Sequence, residues 1–214
     1  MEADLIAGAV LVPIGVLSLR QVREAREIPL AAVPLLLGVH QLVEAVVWAG
    51  VDGSVSARVA HLAALVYAVI ALPLLPTLFP LAVWLIESPS RRRLVAPFLA
   101  IGATVSSYMA LRLWQNGLDV VAHDYGMEYR VGLGFTEFWT GAYIVATMGA
   151  CLVSSYRTIV AFGVLNLIGL TVVGLAYAQA FASLWCIYAA FVSVLILVHM
   201  REPRSQVEES FAQL

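Results

Sequence analysis

Seven stretches of this chain, at residues 5–19, 29–50, 59–86, 94–114, 136–154, 158–178 and 182–200, are almost wholly apolar. A helix needs about 20 such residues to cross the hydrocarbon core of a bilayer, and there every backbone N–H and C=O must be bonded internally. The expected fold is therefore an all-α integral membrane protein, with a seven-helix transmembrane bundle over residues 1–204 and a short polar tail at 205–214. The first run is short and is preceded by two acidic residues, so it reads as a retained helix rather than a signal peptide. The third holds Pro73, Pro76 and Pro80, each of which removes a backbone donor, so a bent or broken helix is expected there.

Charge supports this class. Only 12% of the 214 residues are charged, against about 25% in an average soluble domain. A formal net charge of −2 supplies no basic face for phosphates, so nucleic acid is not an expected partner; the lipid bilayer is. All 12 basic residues are arginine, which removes Schiff-base lysine chemistry. Nine of the 12 arginines follow alternate runs: Arg20, Arg23, Arg26, Arg91, Arg92, Arg93, Arg157, Arg201 and Arg204. The positive-inside rule puts those loops in the cytoplasm, the N-terminus outside, the C-terminus inside, and the whole in the plasma membrane as a multi-pass protein. Cys151 and Cys186 then fall near opposite faces, beyond reach of a disulfide.

The long outer connection is 115–135. Within it, Asp119 to Gly132 places β-branched residues around an Asp-Tyr-Gly turn, which predicts a short β-hairpin over the outer mouth, between helices four and five. Helices one to three and five to seven share one in/out order, which suggests a 3+1+3 repeat of residues 5–86 and 136–200, with Gln41 and Asn166 as equivalent amides.

The second run carries the most telling polar residues. His40, Glu44 and Trp48 recur every four residues and fall on one helical stripe, with Gln41 beside them. An ionisable side chain at this depth is a functional-site hypothesis by default; the structural alternative is a buried pair that pins helices together. With Tyr67, Tyr108, Arg112, Tyr177 and Trp185 also in the outer half, the sequence suggests an outward cavity with its floor near His40. The candidate ligand or proton site is His40, Gln41, Glu44, Tyr67, Tyr108, Arg112 and Trp185, with a Glu44–Arg112 ion pair expected if their helices are neighbours.

A metal site is not predicted. His40 and Glu44 supply two ligands, a catalytic zinc takes three protein ligands, and His61, His123 and His199 read as interfacial, turn and helix-end residues. No cofactor and no catalytic residue is indicated. Ser106-Ser107 and Ser154-Ser155 lack a nucleophile elbow and are expected to bond backbone or allow close packing.

Gly38-Val39-His40-Gln41-Leu42-Val43-Glu44 with Trp48, Leu72 to Pro76, the Arg91–Arg93 run and Ser183-Leu184-Trp185-Cys186 together resemble an uncharacterised family of bacterial and fungal multi-spanning membrane proteins with a His-Gln-x-x-Glu transmembrane motif. Many members open with Met-Cys-Phe-Ser, whereas this chain opens Met1-Glu2-Ala3-Asp4. The resemblance implies the topology and no activity. The alkaline ceramidase and progestin-receptor-like hydrolases share that topology, but their seventh helix carries a His-x-x-x-His pair where this one has only His199. Function is expected to be outward-facing small-molecule binding, or proton-coupled transport or sensing, through the His40/Glu44 pair. An intramembrane enzyme, metal-dependent or not, and a structural or partner-binding protein stay open as alternatives.

Overall fold

The computed structural model describes residues 1–123, 126–176 and 181–202. Tyr177, the Asp124-Tyr125 turn, the side chain of Ser183 and the tail lie outside the described residues. The chain is mainly helical: α1 (Glu2–Arg20), α2 (Ile28–Ala31), α3 (Val33–Val51), α4 (Ala57–Val69), α5 (Leu75–Ile86), α6 (Arg92–Asn116), α7 (Thr136–Leu152), α8 (Arg157–Ala176), α9 (Phe181–Val192) and α10 (Val194–Arg201). Short helices merge into longer units, so that six continuous stretches are long and apolar enough to cross a membrane; α7, with 17 residues, packs among them.

The first helix extends beyond its apolar run to Glu2–Arg20. Its closest partner is α3, and small residues set the approach: a Cβ at Gly15 would fall onto the backbone N and Cα of Leu35. Small residues let membrane helices approach in this way, where dispersion and not the hydrophobic effect drives association. The proline-rich third run stays helical throughout 57–86, and the expected interruption takes the form of a π-helical turn at Ile70–Leu74.

The consequence of that turn follows from hydrogen-bond accounting. The N–H of Leu75 is used by the carbonyl of Ile70, and the next residue, Pro76, has no N–H to offer. The carbonyl of Ala71 instead accepts the Tyr143 hydroxyl of α7 at 2.8 Å, in a buried setting. A local backbone irregularity thereby docks a second helix.

Strands β1 (Asp119–His123) and β2 (Gly126–Arg130) pair antiparallel, with Val120 opposite Tyr129 and Ala122 opposite Met127, as the predicted hairpin requires. Alternation along β2 turns Met127 and Tyr129 inward, where they join Val47, Trp48 and Ala64 in a small apolar cluster. Glu128 and Arg130 lie on the other face, bonded to each other by two contacts of 2.8 Å.

At the opposite end the arginine-bearing loops converge. Arg23 donates to the carbonyls of Met200 and Glu202, and Arg92 donates to the carbonyls of Trp84, Leu85 and Glu87. Glu87, fully buried, accepts from the Ser154 hydroxyl at 2.7 Å and from the Ser155 N–H and hydroxyl at 2.8 and 2.7 Å. Ser154 and Ser155 thus donate their hydroxyls to a buried carboxylate, a stronger acceptor than a carbonyl, and the Ser154 oxygen also accepts the backbone N–H of Tyr156 at 3.3 Å.

Two outcomes test this account by thermal unfolding in detergent. Gly15→Val should lower stability by about 1–3 kcal/mol through overpacking, while Gly141→Ala, with nothing within 4 Å of its Cβ, should be neutral. Tyr143→Phe should cost about 1–3 kcal/mol by stripping the Ala71 carbonyl of its donor.

Candidate functional site

Helix α3 places His40, Gln41 and Glu44 on its buried side, all of them fully inaccessible. The His40 Nε2 lies 3.2 Å from the carbonyl of Tyr67 on α4. The His40 ring stacks on Tyr67 at 3.8 Å between centroids, and the other face of Tyr67 stacks on Tyr129 of β2 at 4.1 Å. Three rings from three elements therefore form one column. It returns to α3, because the Tyr129 hydroxyl donates to Glu44 Oε1 at 3.5 Å.

Cys186 of α9 and Asp4 of α1 complete the surroundings: Cys186 faces Glu44, Tyr67 and Tyr129, and Asp4 faces Tyr129. Burial, and then the nearby Glu44 carboxylate, push the Tyr129 phenol above its ordinary range, so it stays protonated and acts as a donor. Both amide atoms of Gln41 and the Nδ1 of His40 have no hydrogen-bond partner among the described residues. Buried polar atoms are nearly always paired, so such a cluster is a place to look for function.

Beside this column lies a cavity of about 640 Å³. Its walls come from the π-helical turn, α6, α7, α8, α9 and β2, and its lining includes Ala71, Met109, Tyr143, Leu170, Trp185 and Cys186. The hairpin covers it with Met127, Glu128 and Tyr129. Tyr129 and Cys186 belong to both compartments: each lines the cavity and faces Glu44. His40, Gln41 and Glu44 are not in the lining; they sit behind the Tyr129–Cys186 wall.

Of the residues singled out from sequence, the structure brings together His40, Gln41, Glu44 and Tyr67, with Trp185 on the neighbouring cavity wall. Tyr108 and Arg112 are elsewhere. Tyr108 stacks on Trp139 at 4.0 Å and donates to the carbonyl of Gly134. Arg112 donates to the carbonyl of Gly132 from both Nε and a terminal nitrogen. The Glu44–Arg112 ion pair is not formed, because Arg112 is engaged in tying the loop before α7 to α6.

Tyr129 is the residue that sequence reading passed over. The signal was present in the hairpin: once Met127 is placed inward, period-two alternation places Tyr129 inward as well. Asn166 is buried on α8 and donates to the carbonyl of Phe162, so it serves its own helix. Among the described residues no group of three His, Cys, Asp or Glu side chains is arranged to hold a metal ion.

The arrangement can do two things chemically. A protonatable stripe shielded from solvent can hold or release a proton, and an apolar cavity can hold a small molecule, with one phenol touching both. Searches of curated proteins and of solved structures found no match. A family model described as "Family of unknown function (DUF6629)" matches residues 1–210, nearly the whole length over which the sequence resemblance runs. The chain belongs to this DUF6629 family.

Proposed function

We propose that this is a multi-pass protein of the plasma membrane that binds a small molecule in an outward-facing cavity and couples occupancy to protonation of the His40/Glu44 pair, in transport or sensing. The shared Tyr129 wall carries the reading. A molecule seated against Tyr129 presses on the phenol that donates to Glu44, so ligand and proton act on one side chain.

The orientation rests on the arginines, nine of 12 of which lie in the connections assigned to the cytoplasm or at the helix ends that adjoin them; α7 counts as the seventh span and the hairpin lies outside. The π-helical turn in the cavity wall agrees with the reading, since such turns occur frequently at functional sites.

The Glu128 carboxylate of the hairpin is ionised throughout the range near neutrality. Hydrogen bonds from Arg130 and then His123 hold the Glu128 carboxyl at about 2. Its folded value lies below the unfolded value of about 4.3, so what it contributes is complete above that pH and is lost only as pH falls toward 2. That contribution is small, because the carboxylate is partly open to solvent, with 29% of its side chain exposed. Glu128 is therefore not the source of any change in stability between pH 5 and 8. Among the groups that face Glu44 are Tyr129 from β2, Tyr67 from α4 and Cys186 from α9, with His40 one turn away on its own helix.

The test is thermal stability of wild type and Glu44→Gln across pH 5–8. The near-isosteric variant should fold with a similar melting temperature at one end of the range and lose the pH dependence of the wild type. A variant less stable throughout, with the pH profile unchanged, would falsify the proton-carrier role and point to a static structural pair, for which losing one partner costs about 3–5 kcal/mol.

A further inference from the structure

We infer that the cavity takes an uncharged, hydrocarbon-rich molecule that reaches it from the bilayer, and does not take an anion, an amino acid or a sugar. This rests on the cavity reading above and names the class of its ligand.

Most polar groups on the walls are already engaged, the Thr140 hydroxyl being an exception among the described hydrogen bonds. The Tyr143 hydroxyl donates to Ala71, the Thr171 hydroxyl donates to the carbonyl of Leu167 at 2.8 Å, and the Thr136 hydroxyl donates to that of Leu133 at 3.1 Å. Glu128 is bonded to Arg130 and His123, and Tyr129 points its hydroxyl at Glu44. No arginine is among the described lining residues, and the chain has no lysine. A charged or many-hydroxyl ligand would leave water for a wall with almost nothing to offer it, and that desolvation goes uncompensated. A neutral molecule with a single polar group, met by the Thr140 hydroxyl, incurs no such loss. The volume of about 640 Å³ lies in the range that encloses a drug-sized ligand.

Access points the same way. Leu175 lines the cavity and is 85% exposed, so the cavity extends to the outer surface of α8. Helices α7 and α8 are joined at the far end by residues 153–156, where Glu87 clamps the turn. Their hairpin-end portions, Thr136–Ile144 and Leu170–Leu175, line the cavity and carry no such clamp among the described residues. An apolar molecule dissolved in the membrane meets Leu175 before it meets any charged group.

The experiment uses the full-length protein in phosphatidylcholine nanodiscs and two photoreactive probes with the same diazirine-bearing sixteen-carbon chain, one ending in a hydroxyl and one in a sulfonate. After irradiation, labelled peptides are mapped. The hydroxyl probe should label 140–144 and 170–175, with at least about tenfold less labelling by the sulfonate. Unlabelled hexadecanol should compete it away. Thr140→Trp, which fills the cavity, should abolish cavity labelling, and Val145→Trp, at a position 48% exposed and outside the lining, should not. Leu170→Trp repeats the test from α8 should Thr140→Trp fail to fold.

Equal or stronger labelling by the sulfonate overturns the ligand class and leaves the cavity reading standing. Labelling that resists competition or ignores both tryptophans shows bulk lipid at the bundle surface and overturns the inference. Absence of cavity labelling by either probe removes the binding reading with it.

Discussion

A carboxylate buried on an apolar helix, out of reach of water, sets the arrangement of the hairpin end. Placing an ionised side chain at the centre of a membrane helix costs roughly 2.5–3.5 kcal/mol, and His40 and Gln41 add further polar atoms within one turn of Glu44. Lipid cannot meet these groups, so protein must. Helix α4 supplies the Tyr67 ring and carbonyl, α9 supplies Cys186, and a β-hairpin from outside the spans delivers a phenol. The hairpin is thus anchored by the chemistry of α3 as much as by its own apolar face on Val47 and Ala64.

The same economy governs the cavity. Pro73 and Pro76 break the regular ladder of the third run, and Ala71 is left with a carbonyl turned to a neighbouring helix. Tyr143 answers it, which places an aromatic wall beside Trp185, 5.8 Å away in an edge-on contact. A regular α-helix through Ala71 would have used that carbonyl itself, and Tyr143 would have had no anchor there. One irregular turn therefore creates both a helix contact and a side of the cavity.

How much of this was legible in the sequence varies with the range of the interaction. Hydropathy located the long helices, six of which are apolar and long enough to cross a membrane, since a bilayer imposes length and apolarity on each helix separately, and the Asp-Tyr-Gly signal located the hairpin. The His40–Glu44 stripe followed from a four-residue spacing. Contacts between spans were another matter. Hydropathy does not encode which helices are neighbours, so pairing Glu44 with Arg112 was reasonable on depth alone, yet Arg112 ties α6 to Gly132. Glu87 gave no warning, because a lone carboxylate at the end of an apolar run has the pattern of an interfacial charge; its burial depends on Ser154 and Ser155 arriving from 67 and 68 residues away. Tyr129 was hidden similarly, its partners being on helices α3 and α4.

The two buried glutamates argue for a division of labour between the ends of the bundle. Glu87 accepts three short bonds from two adjacent serines, the pattern of a charge fixed in place, and it secures the turn between α7 and α8. Glu44 receives its phenol at 3.5 Å, and it lies beside a glutamine with neither amide atom bonded among the described residues. The arginine-rich end is therefore secured by hydrogen bonds to a buried carboxylate, and the hairpin end by rings stacked beside one.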